Sequence, residues 1–124
     1  MDIRTVPGQE HGDIQNKLQQ VSGSDVEISV INEAANVASD VNHSWIQQVF
    51  SITRSITGEE PIAKGATFFS DASVLTPAYG YPPTIIIGPG EPSMAHKTDE
   101  YCYISKLEQS VEIYTSILKQ WCGV

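Results

Sequence analysis

Apolar residues along this chain follow two different periods. Ile14, Leu18 and Val21 recur at i, i+4 and i+7, the spacing of one helix face, and predict a helix over residues 9–21. Gly23 stands where a glycine would end it. Trp45, Val49, Ile52 and Ile56 run at i, i+4, i+7 and i+11 and predict a second helix that Gly58 closes. Ser44, with Gln47 three residues on, has the capping-box pattern at its start. The longest stripe comes last. Ile104, Leu107, Val111, Tyr114, Leu118 and Trp121 hold one side of a third predicted helix, with Ser105 and Glu108 as its capping box and Gly123 as its end.

The other period is two. Residues 2–6 alternate and predict a short strand that Pro7-Gly8 ends. Val26, Ile28 and Val30 alternate with Asp25, Glu27 and Ser29, the pattern of a half-buried strand. Thr84-Ile85-Ile86-Ile87 is a β-branched run of the kind found where a parallel sheet buries a strand on both faces. Strand, helix and strand within the first thirty or so residues have the size of a βαβ unit. The expected fold class is therefore α/β. Residues 32–43 read as a crossing segment, residues 61–64 as a short strand, and residues 65–73 have no clear period.

Composition narrows the function. The chain has 124 residues, enough for one ordinary domain. Seven basic against fifteen acidic residues give a formal charge of −8, without a Lys/Arg cluster, which disfavours nucleic acid as a partner. The longest apolar run is Ile85–Ile87, so no membrane span is expected, nor is a signal or transit peptide. Cys102 and Cys122 flank the last predicted helix, too far apart to bridge each other, and a reducing cytoplasm is the expected compartment.

The most informative stretch for chemistry is the 84–87 run, then Gly88-Pro89-Gly90, then a loop with His96, Asp99 and Glu100. In α/β folds ligands bind beyond the carboxyl ends of parallel strands, so a histidine there is placed to hold a metal and a nearby carboxylate to orient its other ring nitrogen. Its alternative is a solvated loop residue. Glu59-Glu60 reads as a turn after a helix. His11 and His43 read as surface or capping residues, and the two cysteines as packing residues.

Ile86-Ile87-Gly88-Pro89-Gly90 through Met94-Ala95-His96-Lys97-Thr98-Asp99-Glu100 resembles the C-terminal zinc-ligand motif of the acetylornithine deacetylase / succinyl-diaminopimelate desuccinylase family of di-zinc metallopeptidases. Asp2-Ile3-Arg4-Thr5-Val6-Pro7-Gly8-Gln9 is similar to a strand of the family's lid domain. Ser70-Asp71-Ala72-Ser73 is similar to its Thr-Asp-Ala/Gly substrate-face loop, with Ser70 in place of the usual Thr. The three segments occur in the family's order.

The resemblance implies that residues 1–33 form part of a ferredoxin-like lid and residues 34–124 the C-terminal part of a parallel-sheet catalytic domain. It implies hydrolysis of an N-acyl amino acid, of the succinyl-diaminopimelate or acetylornithine type, or of a small peptide. Two zinc ions are the implied cofactors, with cobalt and manganese as alternatives. His96 would be a metal ligand, and Arg4, Ser70 and Asp71 would hold the substrate's carboxylate. The family's general base, its other ligands and its lid histidine have no counterpart here, so no catalytic residue is assigned and the chain alone is expected to be inactive. A homodimer is expected, through a lid edge that invites pairing. Two further readings stand beside the enzyme: a non-catalytic, self-associating α/β module, and an unrelated small α/β binding protein.

Overall fold

The structure, a computed structural model, describes residues 1–66, 68–95 and 97–124. Its elements are α1 (His11–Ser22), α2 (Ser44–Thr57), α3 (Ala72–Ala78) and α4 (Ile104–Cys122), with a single 3₁₀ turn at Pro92–Met94. The α/β expectation is not met, because the described residues contain no strand, hence neither a βαβ lid nor a parallel sheet. Residues 2–6, 26–30, 61–64 and 84–87 carry no regular structure. Alternation says that a segment can sit in a sheet; it does not supply the neighbouring strand that must take up its N–H and C=O groups. Side chains take that place instead. The Gln19 amide donates to the Val26 carbonyl at 2.8 Å, and the Tyr114 hydroxyl donates to the Ile87 carbonyl at 2.9 Å.

Three helices fall where the period of four predicts them. Gly58 and Gly123, both left-handed, close α2 and α4 by donating to the carbonyls of Arg54 and Lys119. The starts differ from the capping-box reading. His43 is the N-cap of α2, its Nδ1 accepting from the Trp45 N–H at 3.2 Å, and α4 begins after Tyr103 with no side-chain cap. The seven-residue α3, interrupted by Pro77 near its end, has no counterpart in the sequence pattern because it is too short to show a period.

The chain divides into two units. One comprises Met1–Ala38 and Gly65–Thr84, the other Ser39–Lys64 and Ile85–Val124. The second holds the apolar core, where α2 and α4 pack and bury Ile46, Val49 and Ile113. Val49 is fully enclosed. In the first unit α1 buries no residue, and among the described residues the enclosed side chain is Thr76, whose hydroxyl meets that of Thr84 at 3.0 Å. The long stripe of α4 is not what packs on α2. Ser110 and Ile113 are the residues α4 buries, and the stripe from Ile104 to Trp121 is largely exposed, Tyr114 least, its hydroxyl being held by the Ile87 carbonyl.

Candidate functional site

The residues expected to hold a substrate carboxylate, Arg4, Ser70 and Asp71, all lie in the first unit. Arg4 Nη2 donates to Asp2 Oδ2 at 2.7 Å, and both side chains are largely exposed. An exposed pair of this kind is worth about 0–1 kcal/mol, so an incoming carboxylate could displace Asp2 at little cost. Ser70 is half-buried, and its carbonyl accepts from the N–H of Ser73 at 3.1 Å and from the Ser73 hydroxyl at 2.9 Å. The turn so formed starts α3. Asp71 occupies its N-cap position, its carbonyl accepting from Leu75 N–H at 2.9 Å, while its exposed carboxylate makes no cap bond. A carboxylate there repels an anionic substrate, so the donors suited to one are the Ser70 hydroxyl and backbone N–H groups of the Ser70-Asp71-Ala72 loop.

The segment with the metal-ligand motif belongs to the second unit. His96 lies outside the described residues. Around it, Met94 N–H donates to the Glu91 carbonyl at 2.8 Å and Lys97 N–H to the Met94 carbonyl at 3.1 Å. Asp99 takes a left-handed backbone with φ 61°. The Gly88-Pro89-Gly90 turn is tied to later chain, since Pro89 accepts from the Cys102 thiol at 3.3 Å. Glu91 lies 4.0 Å from the Lys106 ammonium. Among the described residues no three His, Cys, Asp or Glu side chains come together as a metal would need. Structural and catalytic zinc each require three or four such ligands, a set that the described residues, which do not include His96, do not supply by themselves.

A cleft of about 180 Å³ lies beside the same turn, between α2 and α4, lined by Thr53, Thr57, Glu59, Gly88, Lys106 and Tyr114 among others. It is smaller than the roughly 300–1,000 Å³ of small-molecule sites. Its hydroxyls are committed to backbone, Thr53 to the Val49 carbonyl at 2.8 Å and Thr57 to that of Thr53 at 2.9 Å. Glu59 and Glu60 form the turn after α2, as expected, with Glu60 3.1 Å from Arg54.

Sequence reasoning missed one constellation. His11 Nδ1 lies 2.6 Å from Glu33 Oε1, and His11 Nε2 lies 3.1 Å from Thr5 Oγ1. Carboxylate, imidazole and hydroxyl in this order can orient a ring and polarise a hydroxyl. With its carboxylate exposed, the constellation is a fastening of residues 5 and 33 to the start of α1. No spacing signal points to it, because Glu33 is twenty-two residues from His11.

No curated protein matches the chain, and no solved structure does. A family comparison does: the profile described as Peptidase family M20/M25/M40 matches residues 3–120. That span takes in Arg4, the 70–71 turn, the Gly88–Gly90 turn and nearly all of α4. The chain belongs to peptidase family M20/M25/M40.

Proposed function

We propose that this chain serves the hydrolysis of an amide in an N-acyl amino acid or small peptide, and that its own part is to recognise the substrate's carboxylate. The family match over residues 3–120 carries the reading and supports a metal-dependent hydrolase. The finer substrate type, acetylornithine or succinyl-diaminopimelate, rests on the motif resemblance. In this reading the Arg4 guanidinium exchanges Asp2 for a substrate carboxylate, a charge-assisted contact that a planar fork makes better than an ammonium. The Ser70 hydroxyl donates to a carboxylate oxygen. His96 contributes one metal ligand, with zinc first and cobalt or manganese as alternatives. One ligand neither holds the ion firmly nor activates water, so the bond-breaking groups come from outside this chain.

The test has two parts. Purified chain with added zinc, cobalt or manganese should release no amine from N-acetylornithine or N-succinyl-diaminopimelate; turnover would refute the division of labour. In the assembled hydrolase, Arg4→Ala should raise KM at least tenfold with a smaller change in kcat, and Arg4→Lys should recover only part of it. An unchanged KM would remove Arg4 from carboxylate recognition. A second reading, a self-associating module, is favoured by one observation, the solvent-facing apolar stripe of α4.

A further inference from the structure

Arg4 stands on a stretch that precedes α1 and has no regular structure. Its partner Asp2 is on the same stretch, so their ion pair does not tie Arg4 to the rest of the chain. Thr5 supplies the tie. It is half-buried where every other residue of 1–10 is exposed. Among the described residues, its hydroxyl makes the hydrogen bond that leads from residues 1–5 to later chain, and that bond stays within the first unit. It runs to His11 Nε2 at 3.1 Å, and His11 Nδ1 meets Glu33 Oε1 at 2.6 Å. The neighbouring ties reach less far. Val6 N–H donates to Gln9 Oε1 at 3.0 Å and Gln9 N–H to the Val6 carbonyl at 3.1 Å, both inside one turn. The Asn36 amide meets that carbonyl only at 3.5 Å, the outer limit of a hydrogen bond. A carboxylate on Nδ1 keeps a ring proton there, so Nε2 of the neutral ring accepts from the Thr5 hydroxyl, and a charged ring donates to it instead. Because a hydroxyl does both, the contact exists in either charge state.

We propose that Thr5, held through His11 and Glu33, is a positioning residue for Arg4. The inference rests on the reading of Arg4 as the group that recognises the substrate's carboxylate, and adds what aims it. Adjacent Cα atoms lie about 3.8 Å apart across a trans peptide, so fixing Thr5 fixes the point from which the Arg4 side chain starts. Thr5 is the half-buried anchor and Arg4 the exposed arm beside it. A guanidinium grips a carboxylate through two parallel bonds, which demands direction as well as reach. Ordering a loose segment at the moment of binding costs affinity, and a tethered Arg4 has part of that order before substrate arrives. The effect of the tether therefore belongs to binding, and none of its three groups takes part in breaking the amide.

The whole chain tests the tether directly. Backbone heteronuclear NOE values at residues 3–5 should fall in Thr5→Val, which keeps the shape and loses the hydroxyl, and in His11→Phe. They should stay at the native level in Thr5→Ser, which keeps the hydroxyl, and in Glu33→Gln, which still offers an oxygen to Nδ1. Helical circular dichroism should be the same in all four. In the assembled hydrolase acting on N-acetylornithine, Thr5→Val should raise KM about two- to tenfold, the range of one net hydrogen bond, with kcat little changed, and Thr5→Ser should recover most of the loss. Thr5→Val combined with Arg4→Ala should show the KM of Arg4→Ala alone, because the tether works through the arginine. Losses that simply add would mark a structural role and overturn the proposal. Unchanged order at residues 3–5, or a native KM in Thr5→Val where Arg4→Ala raises it, overturns the proposal and leaves the role of Arg4 standing. An unchanged KM in Arg4→Ala removes the reading of Arg4 itself, and the positioning role falls with it.

Discussion

The helices α1 and α2 carry similar apolar periods, yet only α2 has an interior to bury. Ile14 and Leu18 of α1 are half-buried and Val21 is 83% exposed, whereas α2 encloses Ile46 and Val49. The difference is breadth. One apolar residue per turn, separated by Gln, Asn and Lys, registers α1 as a helix but gives it too narrow a face to seal against another element. In α2 the neighbouring positions Trp45, Ile46, Val49, Phe50 and Ile52 widen the stripe into a face. Period marks a helix; width decides whether it packs.

The sharpest way to break this comparison is to remove matched side chains from each. Ile113→Ala, at the α2–α4 contact, should destabilise the second unit by about 2–4 kcal/mol, because deleted methyl groups in a packed site leave a cavity. Ile14→Ala on α1 should cost less than about 1 kcal/mol, the burial there being partial. Urea unfolding followed by circular dichroism at 222 nm measures both. Equal losses would mean that α1 is as well packed as α2.

A smaller effect tests how α2 ends. Gly58 sits at φ 72° with open space where a Cβ would go. Gly58→Ala should therefore cost about 1 kcal/mol through backbone conformation alone, and Gly58→Asn less, since Asn tolerates the left-handed region. A loss well above this would reveal a contact at the helix end beyond the backbone term.

These sites show what was legible in the sequence. Helix ends marked by Gly23, Gly58 and Gly123 could be read, because each end is a local matter of a few residues. The strands could not. Ile85–Ile87 has the right residues for a buried strand, but pairing is a property of two segments, and the pattern of one segment does not reveal whether a second lies beside it. On α4 the same limit appears in another form. The stripe from Ile104 to Trp121 is the strongest periodic signal in the chain, yet the face against α2 is the weaker one of Ser110 and Ile113. Arg4 and Ser70 were legible as residues, whereas the His11–Glu33 contact was invisible because it joins positions twenty-two residues apart.

That contact offers a further test of the first unit. With little apolar burial, its order depends more on polar fastenings such as Glu33 on His11 at 2.6 Å. Glu33→Ala should cost about 0.5–1.5 kcal/mol, the usual net worth of a hydrogen bond at a partly exposed site, and amide exchange at the start of α1 should quicken. Exchange in α2 and α4 should stay as it was. A general quickening across both helices would show that the two units share one folding equilibrium.

The smallest expected effect concerns the approach to α4, where Tyr101 and Tyr103 meet edge to face with ring centroids 5.3 Å apart. Their hydroxyls lie 3.5 Å apart, at the outer limit of a hydrogen bond. The Tyr103 hydroxyl, by this bond and by its charge once ionised, pushes the Tyr101 phenol above its ordinary 10.0, and Glu91 adds to the push. A raised folded value favours the protonated phenol. Any stability it contributes is therefore present below pH 10.0 and is lost as the pH rises through the folded value. Ultraviolet titration of phenolate absorbance should show one tyrosine lagging the rest, and Tyr103→Phe should bring it back into the group. Glu91→Gln should move it less. If Tyr103→Phe leaves the late step in place, the two hydroxyls do not meet in solution, and the turn that leads into α4 is looser than the helix it starts.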